Sequence, residues 1–273
     1  MKKLLAFAFA AILSATCVAF AACSDGEESV SIDEVKITAP ASTEIKAGEK
    51  FTLEYTILPA ESADDAKVEW EISDSTKLSY ANGEFTALTC GNVTVTAHVK
   101  DSQVTDKIDL KVTAPNGYTE FIGNGYSLVY PSLWNHSLES GVDTWNSMLL
   151  GSTANMNVTT EELNPNYFSV TSGELFQTTI EAMFELSGAT VTFDEPVTVE
   201  KTTYLGVERL QVNYLYTVEY SGIITLTMHQ TQLIINNEDA NLTCILTVTY
   251  SAEEFDEAAA KLQQTVFSQF MPA

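Results

Sequence analysis

Histidine is the side chain best suited to acid–base chemistry near neutral pH, and the sequence contains three. His98 and His229 share the parity of threonines in alternating segments, which predicts solvent-facing positions on strands. His136 follows Trp134 and Asn135 in a segment that we interpret as a loop, where functional side chains are common. The sequence contains no Gly-x-Ser-x-Gly elbow, His-Glu-x-x-His helix or Cys-x-x-Cys pair. We therefore predict no catalytic residues, although a triad assembled from distant residues would leave no such pattern.

Cys23 is the cysteine whose surroundings most clearly indicate a chemical modification. It follows Ala21 and Ala22 at the end of an uncharged run that begins behind Lys2 and Lys3, which is the layout of a secretory signal peptide. The segment resembles a bacterial lipobox. This resemblance implies a signal peptide over residues 1–22 and a lipid-modified Cys23 as the mature N-terminus, held on a bilayer by its acyl chains. The alternative is an uncleaved anchor, because the run approaches the roughly 20 residues that a spanning helix needs.

The lipid-modified cysteine predicts a bacterial cell-envelope protein that faces away from the cytoplasm. Without Lys2 and Lys3, the chain has 11 basic and 37 acidic residues, a formal charge of 11 minus 37, or −26. Such a surface repels phosphate backbones, which argues against a nucleic acid partner. It also repels anionic lipid head groups, so the lipid itself would have to provide the anchor.

The other cysteines of the predicted mature chain, Cys90 and Cys244, do not indicate a disulfide framework. Cys244 alternates with apolar residues between Leu242 and Tyr250, which indicates a buried apolar position. A disulfide between Cys90 and Cys244 is the alternative in an oxidising compartment. The acidic pairs do not form a calcium loop, so we predict no metal site beyond weak divalent-cation binding and no cofactor.

Residues 23–31 are acidic and lack an apolar period, which predicts a flexible tether. Residues 32–114 alternate apolar and polar side chains in short runs separated by Gly- or Pro-containing turns, as in a β-sandwich. The runs and turns include Val35-Lys36-Ile37, Ala47-Gly48-Glu49, Phe51-Thr52-Leu53, Leu58-Pro59, Val68-Glu69-Trp70, Asn82-Gly83 and Gly91-Asn92-Val93. In this order they resemble the group-two bacterial immunoglobulin-like domain of intimin and invasin. The resemblance implies a spacer module in which Trp70 is a core residue.

A Pro-Gly break at residues 114–117 separates this region from a second domain over residues 118–273. Thr171 and Glu174 form a potential capping box for one helix that Gly188 would close, and Ser251 and Glu254 form another. Between the two helices, apolar residues alternate in long strands, with a tight hairpin at Gly222. These patterns predict an α+β domain whose antiparallel sheet is covered by helices.

The second domain also carries a family resemblance, based on the run from Gly125 to Trp134, the segment from Asn155 to Val158 and the strands that follow Tyr204. Together with the two helices, these features resemble the PsbP-like family, which includes bacterial DcrB-type lipoproteins. The resemblance implies a fold for binding or assembly without chemistry of its own. The predicted fold class is therefore mostly β, with an Ig-like β-sandwich followed by a PsbP-like α+β domain.

Aromatic side chains early in the second domain form the best candidate for a recognition surface, because aromatic anchors dominate interface energetics. Tyr126 and Tyr130 share one parity of a strand, so we predict that they belong to the core. We predict that Trp134, His136 and Trp145 are exposed and contact a partner.

These observations together predict a lipid-anchored, non-catalytic binding or scaffold protein, in which the Ig-like domain is a spacer and the PsbP-like domain is a head. The head would bind a protein or another envelope component. The alternative is a solute-binding or hydrolytic head on the same anchor, which would require a deep pocket with convergent polar groups. The sequence leaves the partner, the membrane and the oligomeric state open.

Overall fold

The computed structural model describes residues 31–63 and 66–273. The predicted signal peptide, Cys23 and nearly all of the predicted tether lie outside these residues. Within the described residues, no helix has both the length and the apolar character needed to cross a membrane.

The first half of the described chain is built from nine strands, as the alternation of apolar residues predicts. They are β1 (Glu34–Thr38), β2 (Glu44–Lys46), β3 (Lys50–Phe51), β4 (Glu54–Leu58), β5 (Val68–Ile72), β6 (Leu78–Ala81), β7 (Glu84–Ala87), β8 (Gly91–Val99) and β9 (Thr105–Thr113). The strands pair as β1–β4, β2–β9–β8–β5 and β3–β7–β6. Leu78, Phe85, Val95 and Val112 are buried between them, so alternate residues of these short strands form one continuous core.

The second half contains eleven strands and two α-helices within the described residues. They are β10 (Tyr118–Ile122), β11 (Tyr126–Pro131), β12 (Asn135–Glu139), β13 (Val142–Asn146), β14 (Asn155–Glu162), α1 (Glu174–Leu186), β15 (Ala189–Phe193), β16 (Thr198–Tyr204), β17 (Val207–Tyr220), β18 (Ile224–Asn237), β19 (Leu242–Ser251), α2 (Glu257–Gln269) and β20 (Met271–Pro272). The large sheet has the strand order β12–β13–β14–β19–β18–β17–β15, and β16 also pairs with β17. A smaller sheet has the order β10–β11–β20. The hairpin predicted at Gly222 joins β17 to β18.

Helices and the smaller sheet cover the large sheet on its two sides. On one side, α2 and β11 supply Val266 and Tyr126 to a core that contains Met156 and Val248 of the large sheet. On the other side, Phe176 and Ile180 of α1 pack with Tyr214 and Tyr216 of β17. The prediction of an antiparallel sheet covered by helices is therefore confirmed.

Both helices lie where the sequence pattern predicts them, but their capping residues differ from the predicted ones. Gly173 precedes α1, and no side-chain hydrogen bond caps this end. A Cβ atom at Gly173 would lie 2.1 Å from the carbonyl oxygen of Val197, so the close backbone approach requires glycine. The α2 cap is Asp256, whose side chain accepts from the Ala259 amide at 2.9 Å. The predicted Ser251 cap is wrong because Ser251 still belongs to β19.

The two halves meet at the last turn of α2. The side-chain amide of Gln269 donates to the Leu88 carbonyl at 2.7 Å, and its oxygen accepts from the Cys90 amide at 3.2 Å. Lys46 also donates to the side chain of Asn116, in the segment that joins the two halves. Cys90 and Cys244 are both free and buried, so they form no disulfide in this structure. Burial raises the pKa of the Cys90 thiol to about 12 and that of Cys244 to about 11.

Candidate functional site

An open apolar groove lies where β11 turns into β12. Trp134 ends this turn, and its amide donates to the Pro131 carbonyl at 2.8 Å. The groove has a volume of about 400 Å³ and is lined by Gly117, Pro131, Leu133, Trp134, Ser147, Met148 and Leu149. Leu133, Met148 and Leu149 are 79%, 72% and 74% exposed, respectively, and Leu150 next to them is also exposed. We call Leu133, Trp134, Met148, Leu149 and Leu150 the apolar patch.

The loop that carries much of the apolar patch is held by several hydrogen bonds. The Ser147 amide donates to the Ala154 carbonyl at 3.0 Å and closes the base of the loop. The Ser152 amide donates to the Leu149 carbonyl at 3.1 Å and closes the tip. Met148, Leu149 and Leu150 are therefore exposed on a loop whose backbone is held in place by hydrogen bonds.

Glu254 fastens this loop to the end of β19. Its carboxylate accepts from the Thr153 amide at 3.0 Å, the Thr153 hydroxyl at 2.5 Å and the Ser251 hydroxyl at 2.7 Å. Burial alone would raise the pKa of Glu254, but the hydrogen bonds from Thr153, Ser152 and Ser251 outweigh it and lower the pKa to about 2. An ionised carboxylate therefore borders the apolar patch.

His136 lies on β12, so the interpretation of its segment as a loop is wrong. Its Nε2 is 2.8 Å from Oδ1 of Asp143, and Oδ2 of Asp143 accepts from the Tyr126 hydroxyl at 2.5 Å. The imidazole also packs against Trp145, with ring centroids 4.8 Å apart. Burial and the contact with Asp143 raise the pKa of Tyr126, which keeps its hydroxyl protonated as the donor. The side chain of His136 is 29% exposed, so this network lies at the edge of the core.

The prediction that Trp145 is exposed is wrong, because its exposed fraction is 0%. On β13 it pairs with Met156 and faces the smaller sheet, where Phe121 contacts it edge-on at a centroid distance of 5.0 Å. Tyr126 is also buried, as predicted, and Tyr130 packs against the same core. Of the three predicted recognition residues, only Trp134 lies in the apolar groove. The leucine and methionine side chains around it were not predicted, although the run Met148-Leu149-Leu150 interrupts the alternation and could have indicated them.

A second cavity, of about 340 Å³, lies beneath the edge of α1. Tyr167, Phe176 and Met183 line it on one side, and Tyr214 and Gln232 line it on the sheet side. The Tyr214 hydroxyl donates to Oε1 of Gln232 at 2.6 Å. Burial raises the pKa of Tyr214, so its hydroxyl remains a neutral donor. This cavity combines an apolar wall with a few polar groups, a composition typical of sites for small organic ligands.

Side chains of the types that bind metals do not cluster in the described ranges 31–63 and 66–273. No group of three or more His, Cys, Asp or Glu side chains there lies close enough together to hold an ion. His98 pairs with Glu71 on the Ig-like half, and His229 stacks on Phe255.

Comparisons with known proteins match the first domain to a family model and find solved structures that resemble part of the chain. Residues 32–112 match the family model of the bacterial Ig-like domain (group 2), which confirms the resemblance seen in the first domain. A comparison with curated proteins gives no significant match.

Two solved structures illustrate the structural similarity. A structure of cyanobacterial PsbP from Synechocystis sp. PCC 6803 has 13% sequence identity and a TM-score of 0.46 and covers 58% of this chain and 94% of its own. The Ran-binding protein Mog1p of Saccharomyces cerevisiae has 14% identity and a TM-score of 0.36, with 58% and 95% of the two chains covered.

Proposed function

We propose that this protein is a lipid-anchored, non-catalytic docking protein of a bacterial cell envelope. The Ig-like domain would be a spacer, and the second domain would bind a protein partner through the apolar patch. The observation that carries the proposal is the high exposure of Leu133, Met148 and Leu149 around Trp134 on a hydrogen-bonded loop. Contiguous exposed apolar surface of this kind marks interaction sites in soluble domains.

The chemistry around the apolar patch favours a protein that presents apolar and basic side chains. From residue 115 to the end, the chain has 3 basic and 19 acidic residues. The ionised Glu254 lies against the base of the loop that carries Met148 and Leu149. A basic partner would therefore be attracted at long range and then bury the apolar side chains. An anionic bilayer would be repelled by the same charges.

The geometry of His136 supports a non-catalytic role. Its Nε2 forms a hydrogen bond with Asp143, and its ring packs on the buried Trp145. Asp143 in turn accepts from the buried Tyr126 hydroxyl. This arrangement stabilises the junction between the large and the small sheet.

Quantitative affinity capture from native envelopes tests the docking site. The full-length protein is compared with Leu149→Glu, and Leu186→Glu on α1 is the matched control because Leu186 is also an exposed leucine. We expect Leu149→Glu to reduce recovery of the partner on the order of tenfold, and Leu186→Glu to leave it unchanged. The partner should also be released as salt rises. Equal recovery by all three proteins, or binding of the patch to partner-free lipid vesicles, would contradict the proposal.

Mass spectrometry of the membrane-extracted protein tests the anchor. We expect a mature chain that begins at Cys23 with a diacylglyceryl group on its sulfur, and release of the Cys23→Ser variant from the membrane fraction. An intact leader and a free thiol at this position would contradict lipid anchoring.

A further inference from the structure

The face of the large sheet opposite the Trp145 core carries two rows of uncharged polar side chains. Directly paired residues of antiparallel strands project to the same face, so the strand registers define each row. The first row runs from β12 to β18 and consists of Ser137, Thr144, Asn157, Thr247 and Gln232. The second row lies two residues along each strand and consists of Asn135, Asn146, Asn155, Thr249 and Gln230. Every one of these ten side chains is an amide or a hydroxyl.

The part of this face on β12 to β14 is accessible to a ligand. Asn135 and Asn146 are exposed and Thr144, Asn155 and Asn157 are half-buried, whereas Thr247, Thr249 and Gln230 are buried. Among the described residues, the side chains of Thr144, Asn146 and Asn157 make no hydrogen bonds to other side chains. Their donors and acceptors are therefore available to a bound molecule.

The rows lead into the cavity beneath α1. Gln232 belongs to the first row and also lines the cavity, where it accepts from Tyr214. Tyr167 lines the same cavity, half-buried, with its ring stacked on Phe176 at a centroid distance of 6.1 Å. The accessible polar side chains on β12 to β14 and the aromatic cleft beneath α1 therefore lie on the same face of the large sheet, and Glu161 interacts with Tyr167 at the cleft.

We propose that this face binds a neutral glycan chain. Amide and hydroxyl groups together donate and accept hydrogen bonds, as sugar hydroxyls do, and the face of Tyr167 suits the apolar face of a sugar ring. Strands lie about 4.8 Å apart, so the accessible part of the rows, on β12 to β14, spans about 10 Å, which is longer than a single sugar ring. This site is separate from the apolar patch and does not depend on the proposed function.

The charge distribution favours a neutral ligand over other occupants. The chain has a formal charge of −24, yet neither row contains a charged residue. An acidic polysaccharide or a nucleic acid would be repelled by the surrounding carboxylates. An apolar ligand would leave the amide groups of Asn146 and Asn157 without partners.

Affinity electrophoresis and titration calorimetry with soluble polysaccharides test the proposal on the full-length protein. The probes are a mixed-linkage β-glucan, an α-mannan and dextran, with polygalacturonate as the acidic probe. We expect at least one neutral polysaccharide to bind and polygalacturonate not to bind. Asn157→Asp keeps the side-chain volume but replaces the amide donor with a charge, and should weaken binding on the order of tenfold. Asn92→Asp, on an exposed strand position of the Ig-like domain, is the matched control and should bind as the wild type does.

Three further measurements distinguish a glycan site from misfolding, from the apolar patch and from a contact between two copies. Thermal unfolding verifies that each variant is folded, and the exposed Asn146→Asp replaces Asn157→Asp if the latter is not. Trp134→Ala should leave polysaccharide binding unchanged, because Trp134 belongs to the apolar patch and to neither polar row. The proposal fails if the wild type binds none of the neutral polysaccharides, or if the aspartate variants bind them equally well. It also fails if sedimentation shows that the aspartate variants dissociate a dimer, which would make this face a contact between two copies.

Discussion

The two faces of the large sheet differ in chemistry although the same strands supply both. Trp145 and Met156 face α2 and the smaller sheet and are fully buried. Thr144 and Asn157, their neighbours in sequence, face the other way and remain partly accessible. Because side chains alternate along a strand, one residue of displacement separates the core from the open polar face.

The two faces also differ in where charged side chains lie. Asp143 shares the face of Trp145 but is held by Tyr126 and His136 at the edge of the core. On the open face, the two polar rows contain amides and hydroxyls only. On β12 to β14, which α1 does not cover, the buried face is therefore suited to filling volume, and the open face to forming hydrogen bonds with a neutral partner.

Removal of the largest buried side chain on the covered face should have the largest effect. We expect Trp145→Ala to lower the free energy of unfolding by about 3–5 kcal/mol, because it leaves a cavity among Phe121, Tyr130 and Met156. Urea unfolding followed by circular dichroism measures the change. Trp145→Phe is the control and should cost clearly less, because it keeps an aromatic ring and removes an indole N–H that has no partner among the described residues. A cost for Trp145→Ala as small as that of Trp145→Phe would contradict the burial of this face.

Asp143, at the polar edge of the covered face, should contribute an intermediate amount to the free energy of unfolding. Asp143→Ala removes the acceptor of the Tyr126 hydroxyl, and we expect a loss of about 1–3 kcal/mol because a buried donor is left unsatisfied. Combining Asp143→Ala with Tyr126→Phe should recover part of this loss, because the donor is then absent as well. The double-mutant cycle is measured by urea unfolding. Strict additivity of the two substitutions would show that the hydrogen bond is not the source of the effect.

The sequence predicted the local parts of this arrangement well. The alternation from Leu210 to Tyr220 predicted β17, and Gly222 predicted the hairpin into β18. Both features depend on contacts between residues close together in the chain.

The sequence did not predict which face each strand buries. Trp145 is covered by β10 and β11, and β11 pairs with β20 at the far end of the chain, so no neighbour in sequence indicates its burial. The two polar rows likewise depend on the pairing of β14 with β19, in which Asn157 lies opposite Thr247, 90 residues later. Periodicity shows that residues share a face but not what lies against that face.

Glu254, at the margin of the large sheet, should make the stability of the fold depend on pH, with a smaller effect than the substitutions above. The pKa of Glu254 is lowered from 4.5 to about 2 in the folded protein, so its ionised form stabilises the fold above pH 4.5. This contribution should disappear as the pH falls from 4.5 to about 2. Because the carboxylate is accessible to solvent, we expect about 1 kcal/mol after solvent screening. Thermal unfolding between pH 7 and pH 2 should show a flatter profile for Glu254→Gln, and parallel profiles would contradict this assignment.

The open face should contribute least to stability. We expect Thr144→Ala to change the free energy of unfolding by about 0.5 kcal/mol or less, because its side chain makes no hydrogen bond within the described residues and packs against no core. The contrast with Trp145→Ala, one position along β13, is a direct measure of the difference between the two faces. Urea unfolding at two protein concentrations also tests whether a second copy covers this face, because association makes stability depend on concentration. A cost for Thr144→Ala close to that of Trp145→Ala, or one that grows with protein concentration, would mean that both faces are packed and that the polar rows are not free for a ligand.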